Sequence, residues 1–202
     1  VILASPSHEV KAMLQVCQLM VFLVALSSSA PAWPESYRLD PGHTFPQFEI
    51  AHLWLFAERG QFDRAHGTLE FDIEQQTGSL EVIIDTSSLD TGNDERNAVL
   101  KGAGWFDVSR YPSITFRSQR FLFEQDRLMA IEGKLTMLGV AQPMRLEIAW
   151  IKCGLNPVSR KWRCGADASG MLQRSRFGMR TALPFVGDDV RLRIRVEAYR
   201  EN

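Results

Sequence analysis

Three of the four histidines, His43, His52 and His66, fall close to the acids Asp40 and Glu49, and acid–base or metal chemistry would be sought in such a crowd. The spacing argues against both. No H-E-x-x-H pair, G-x-S-x-G elbow or phosphate-binding G-x-x-x-x-G-K motif occurs in the chain. His52 and Glu49 differ in parity, so a strand would send them to opposite faces. Cys153 and Cys164 are a poor zinc pattern, with no second pair nearby. No catalytic residue and no metal are therefore expected, and an enzyme of unknown reaction stands as the rival reading. The other chemistry on offer is recognition. Arg96 carries a guanidinium that can hold two phosphate oxygens at once, and Arg191, Arg193 and Arg195 form a row suited either to anionic head groups or to a wet strand face with partners such as Glu147.

The elements that would position these groups are strands. From Val190 to Glu197 every second residue is apolar and every other one charged, the pattern of an antiparallel strand with one wet face. The beat returns in Phe48/Ile50/His52/Trp54, Leu69/Phe71/Ile73, Leu80/Val82/Ile84, Ile114/Phe116, Met129/Ile131/Gly133/Leu135/Met137 and Met144/Leu146/Ile148/Trp150, about eight half-buried strands in all. In more detail, Thr44 to Phe56 reads as one long strand and Gln61 to Ile73 as a strand kinked at Gly67. The stretch from Cys164 to Gly178 shows no clear facing. One helix interrupts the strands: Asn93 to Gly102 has a capping residue, early acids, a late base and a terminal glycine. Consecutive strands on short turns suit an all-β fold, an antiparallel up-and-down barrel that closes on itself and loses its edges. A β-sandwich has the same pattern and is the alternative.

Residues 13–26 form an apolar run broken by Gln15 and Gln18 and followed by Ser27-Ser28-Ser29-Ala30-Pro31-Ala32, the order of a secretory signal. Residues 1–32 are thus expected to be a signal region, with Cys17 inside it, and 33–202 one domain of about 170 residues (202 minus 32). A buried helix is the other reading of the run, which is short of the roughly 20 residues that cross a bilayer. A net charge of −1, with 23% charged residues, gives no general pull toward nucleic acid. Cys153 and Cys164 flank the turn-rich Asn156–Lys161. In an oxidising compartment they are expected to form a disulfide across a hairpin, adding about 2–3 kcal/mol; two free buried thiols are the alternative.

Motifs in a shared order then narrow the reading. They are Asp40-Pro41-Gly42-His43-Thr44 with Phe48-Glu49-Ile50-Ala51-His52, Gly60-Gln61-Phe62 with Gly67, Asp90-Thr91-Gly92 with Glu95-Arg96, and Trp105-Phe106-Asp107. After them come Tyr111-Pro112-Ser113-Ile114-Thr115-Phe116, Gly133-Lys134-Leu135-Thr136, Cys164-Gly165-Ala166-Asp167, Arg174-Ser175 and Val186-Gly187-Asp188-Asp189. Over nearly all of Tyr37 to Glu197 the chain resembles the YceI-like family of exported bacterial proteins. The resemblance implies a lipocalin-like barrel holding a polyisoprenoid or similar lipid, usually in the periplasm, without catalysis. The chain departs from the family pattern at Asn97 and Val99, at Ala141 and Gln142, and at Arg176, which alters the charges near the helix.

A hydrocarbon chain needs apolar wall rather than hydrogen bonds. The wall is predicted to comprise Phe48, Ile50, Leu69, Phe71, Val82, Ile84, Phe116, Leu135, Met137, Leu146, Ile148, Leu192 and Ile194, with His52 among them as a hydrogen-bonded polar member. His43, Arg96 and Trp105 are the head-group candidates. Alternation alone leaves open whether the interior is hollow or plugged. The expected partner is a long-chain isoprenoid or fatty lipid, for example a quinone or polyprenyl phosphate, with no other cofactor; transient membrane contact and a homodimer stay open.

Overall fold

A computed structural model describes residues 35–201, so the expected signal region, with Cys17, lies outside the described residues. The strands are β1 (Glu35–Leu39), β2 (Phe45–His52), β3 (Phe56–Phe62), β4 (Ala65–Asp72), β5 (Thr77–Asp85) and β6 (Leu89–Asp90). Helix α1 (Asp94–Lys101) follows, then β7 (Ser113–Glu124), β8 (Arg127–Met137), β9 (Val140–Leu155), β10 (Trp162–Gln173) and β11 (Val186–Arg200). The ladder runs β1-β4-β5-β7-β8-β9-β10-β11 and closes by pairing β11 with β1, all antiparallel, giving an eight-stranded barrel. Closure leaves these strands no open edge. This is the closed antiparallel barrel expected from the alternation and the lipocalin-like form that the family resemblance implies, and the sandwich alternative falls.

The first three staves are each broken in two. β1 and β2 both pair with β11, β3 and β4 continue one another beside them, and β6 extends β5 against β3. Asp40–Thr44 breaks the first stave where Pro41 offers no N–H and the Asp40 carboxylate accepts from the Gly42 amide at 2.9 Å. The predicted long strand from Thr44 to Phe56 is in fact β2, a turn with Leu53 and Trp54 at φ 50° and 58°, and the start of β3. Nor does a bulge fall at Gly67, where the β4–β5 register runs through unshifted. The break between β3 and β4 falls at Asp63–Arg64, where Asp63 N donates to Ser88 O at 3.1 Å and Asp85 N to Arg64 O at 3.0 Å.

Helix α1 stands as predicted. Asn93 accepts from Arg96 N through its side chain, Asp94 and Glu95 occupy the first turn, and Gly102 ends the helix. Its one buried residue is Asn97, whose Oδ1 accepts from Thr91 N at 2.8 Å and whose Nδ2 donates to Asp90 at 2.9 Å. Those bonds fasten the helix to the rim beside β6.

Cys153 and Cys164 sit directly opposite each other on β9 and β10 and are joined by a disulfide across the hairpin. The closed loop spans a sequence separation of 11, so the chain-entropy cost removed from the unfolded state is about 2–3 kcal/mol. Replacing both cysteines with serine should lower stability by that amount in urea melts, and reductant should do the same to the wild type. A midpoint unmoved by either change would show that the bridge adds nothing.

Candidate functional site

Alternation carries one face of every stave into the barrel, and those faces enclose a cavity of about 600 Å³. Every predicted wall residue lines it, from Phe48 and Ile50 on β2 through Leu69, Phe71, Val82, Ile84, Phe116, Leu135, Met137, Leu146 and Ile148 to Leu192 and Ile194 on β11. The interior is therefore hollow rather than plugged. At the far end Phe71 stacks on Phe123 with ring centres 6.2 Å apart. At the other end Val99, Asn93 and Glu95 line the cavity yet are exposed, so the mouth opens between α1 and the β2–β3 turn. Next in the chain to the lining residues His52 and Val186 come exposed apolar residues, with Trp54 at 72%, Leu55 at 78%, Phe56 at 53% and Phe185 at 56% exposure.

Where the wall departs from strict alternation, β-bulges are responsible. The β9–β10 register shifts between Asp167 and Ala168, so Ile148 and then Ile151 face inward while Trp150 turns out and donates its indole N–H to Asp167 at 2.9 Å. Trp150 and Met129 thus leave the predicted inner set; Met129 sits opposite the shift between Leu122 and Phe123, Leu128 lines the cavity in its place, and Ile131 keeps its predicted facing. β10, which had no readable facing, contributes Cys164, Ala166, Ala168 and Leu172. Its inward side chains are too small to show an apolar beat, and at Gly170 a Cβ would come within 2.4 Å of Met144 Cε.

The polar candidates fare differently. His43 does not line the cavity. The turn at Pro41-Gly42 lifts it onto the outer surface, where Nδ1 lies 2.7 Å from Asp40 Oδ2. That hydrogen bond, with the carboxylate charge, raises the His43 pKa above its ordinary value. Burial works to raise the Asp40 pKa, but the bonds from His43 and Gly42 outweigh it and the net shift is downward. Asp40, His43 and Glu197 are the one group of possible metal donors found among the described residues, with ligand atoms within 4.8 Å of one another; Arg163 already pairs with Glu197 at 2.6 Å.

Arg96 does line the cavity, but its charge is matched by Glu58 of β3, and its Nε donates to Thr91 Oγ1 at 3.0 Å. It works as a tether holding α1 across the mouth. Trp105 also lines the cavity, beneath the guanidinium of Arg174, which lies 5.3 Å above the ring centre. His52 faces inward as predicted, but the expected hydrogen bond is absent. Its Nδ1 is buried with no partner among the described residues, because its cross-strand neighbours are Phe56 and Val186. The arginine row of β11 is outside, with Arg191 on Glu49 and Arg195 on Asp167, each at 3.3 Å. Glu147, predicted as a partner, lies on β9 with β10 between, and pairs with Arg145 at 2.6 Å.

Sequence reasoning passed over Arg174. It is only 1% exposed, lines the cavity and donates Nε to Gly187 O at 2.7 Å, Nη1 to Met179 O at 3.1 Å and Nη2 to Val186 O at 2.8 Å. Burial lowers its pKa, partly offset by the charge of Asp188. The available signal was its place in the family motif Arg174-Ser175, within a stretch whose facing could not be read.

A closed antiparallel barrel around a deep apolar cavity, lidded by one helix, defines the class: a lipocalin-like cavity barrel. The chain belongs to the YceI-like domain family, whose pattern it matches over residues 37–198. It is 34% identical over 182 residues to a UPF0312 protein of Pectobacterium atrosepticum, covering 87% of this chain and 92% of that one. It is 32% identical over 188 residues to Protein YceI of Escherichia coli, covering 90% and 96%. Among solved structures, BcnA of Burkholderia cenocepacia superposes with a TM-score of 0.68 at 23% identity, over 79% of this chain and 98% of its own. A Saccharophagus degradans structure described as a polyisoprenoid binding domain gives 0.64 at 15% identity, over 83% and 99%. At these identities the two structures support the shared fold.

Proposed function

We propose that this protein binds a long-chain isoprenoid or similarly apolar lipid inside the barrel and sequesters or carries it unchanged. The observation that carries the reading is the cavity itself, about 600 Å³, walled by aliphatic and aromatic side chains on every stave and open at one end. Such a wall can hold a hydrocarbon tail by burial alone, at about 25 cal/mol per Å² removed from water. The description of the Saccharophagus degradans domain points the same way. The disulfide and the signal-like order of residues 13–32 support a periplasmic location. The exposed Trp54, Leu55, Phe56 and Phe185, next in the chain to the lining residues His52 and Val186, support brief contact with a membrane surface during loading.

Native mass spectrometry of protein purified from its own envelope, with extraction of whatever it carries, tests this. Retained prenyl or comparable lipid is the expected result. A protein that is empty and rejects added prenyl lipids would sink the proposal, and an added lipid returned chemically altered would replace it with an enzyme.

A further inference from the structure

We infer that the mouth end of the cavity holds an anionic oxygen head, a phosphate or carboxylate on the lipid, between Arg174 and His52. The inference rests on the reading of the cavity as a lipid site and adds the chemistry of the ligand's polar end.

Arg174 is a buried cation whose three hydrogen bonds all go to neutral backbone carbonyls. A guanidinium has five N–H groups, so one on each Nη nitrogen is left over. Arg174 makes no ion pair among the described residues; the carboxylate nearest to it in effect, Asp188, accepts instead from Ser175 N at 2.8 Å and Ser175 Oγ at 2.7 Å. A buried charge held by neutral carbonyls and the face of Trp105, with no acid paired to it, is costly to keep, and an anion brought to it would supply the missing counter-charge and take the spare donors.

His52 is the second observation. Its cross-strand partner is Val186, the residue whose carbonyl Arg174 grips. His52 and Arg174 are thus both tied to Val186, one by strand pairing and one by a hydrogen bond to its carbonyl, and both line the cavity. The orphaned Nδ1 is the only buried side-chain nitrogen or oxygen without a partner among the described residues. Protonated at that nitrogen, His52 donates to the same oxygen cluster.

The remaining charges on the lining are accounted for. Arg96 is matched by Glu58, and Arg59 by Glu49 at 2.9 Å; Glu95 is exposed at the outer edge of the mouth. Arg174 is thus the one cation on the lining without a paired acid among the described residues, and it lies at the end where a head would rest after its tail had entered.

The test uses delipidated full chain and three probes with one C20 prenyl tail: geranylgeranyl monophosphate, geranylgeranoic acid and geranylgeraniol. The two anions should bind at least about tenfold more tightly than the alcohol. Arg174→Met and His52→Phe should each bring that ratio toward one by weakening the two anions more than the alcohol, with Arg174→Lys retaining part of the preference. Wild-type protein that binds alcohol and anions alike overturns the head site and leaves the lipid cavity standing. Failure to bind any of the three overturns the cavity reading and the head site together. Should Arg174→Met fail to fold, the wild-type ratio and His52→Phe decide the matter. Inorganic phosphate at millimolar concentration should not displace the prenyl phosphate; displacement would make this a free-phosphate site and end the proposal for a lipid head.

Discussion

Ala168→Trp should strip most of the lipid from the protein without unfolding the barrel. Ala168 lies on β10 between Ile148 of β9 and Ile194 of β11, and its methyl lines the middle of the cavity. A tryptophan brings about 150–250 Å² of side-chain surface into space that a tail would otherwise occupy. Denying the tail about 100 Å² of wall costs about 2.5 kcal/mol at about 25 cal/mol per Å², roughly 70-fold in affinity. The ring enters a hollow rather than a packed core, so the melting temperature should hold or rise. A charge on the wall is a harsher probe of the same idea: Ile148→Glu should also eject lipid, but it destabilises the fold through a buried carboxylate. The comparison to make is lipid content by extraction against melting temperature. A folded Ala168→Trp protein that leaves its host with the wild-type lipid load would show that ligand does not occupy the barrel.

The second large effect is on stability. A Cβ at Gly67 would lie 2.0 Å from Glu81 O and 3.0 Å from Val82 Cα, both of them backbone of the paired strand β5. The backbone fixes the position of a Cβ and the atoms it meets are backbone too, so no rotamer change relieves the clash and β4 and β5 would have to part. Overpacking costs typically about 1–3 kcal/mol, and Gly67→Ala should fall at or above the top of that range, lowering the melting temperature by roughly 6–12 °C at about 2–4 °C per kcal/mol for a domain of this size. Gly154 on β9, where an added Cβ meets nothing within 4 Å, is the control, and Gly154→Ala should change stability by no more than about 0.5 kcal/mol. Equal effects at the two positions would show that the close approach at Gly67 is absent.

The glycine also shows what a one-dimensional reading lacks. From sequence it resembles a kink, since glycine permits one. In the barrel it sits mid-strand because another strand's carbonyl occupies the place of its side chain, and only the pairing of β4 with β5 brings that carbonyl there. Trp150 and Met129 make the same point. Their parity placed them inside, and each was turned out by a one-residue register shift in its ladder, a feature of two strands together that neither strand announces.

The sequence by itself determined a closed barrel of about eight staves, the disulfide partners, the helix with both its ends, and a set of apolar residues all of which lie on the cavity wall. Each of these depends on local chemistry: a period of two for a half-buried strand, a capping residue, a turn between two cysteines. Tertiary structure decided whether the apolar faces met in a solid plug or stood back around a hollow, because that depends on barrel radius and on the small residues of β10 rather than on hydrophobicity. It also decided the polar end of the cavity. His43 left the site when its turn carried it outside, Arg96 was claimed by Glu58, and Arg174 came in from an irregular stretch to lie over Trp105 and grip the carbonyl of Val186, the strand partner of His52. Charged side chains are long and find their partners across the fold, so their roles are fixed only when the barrel closes.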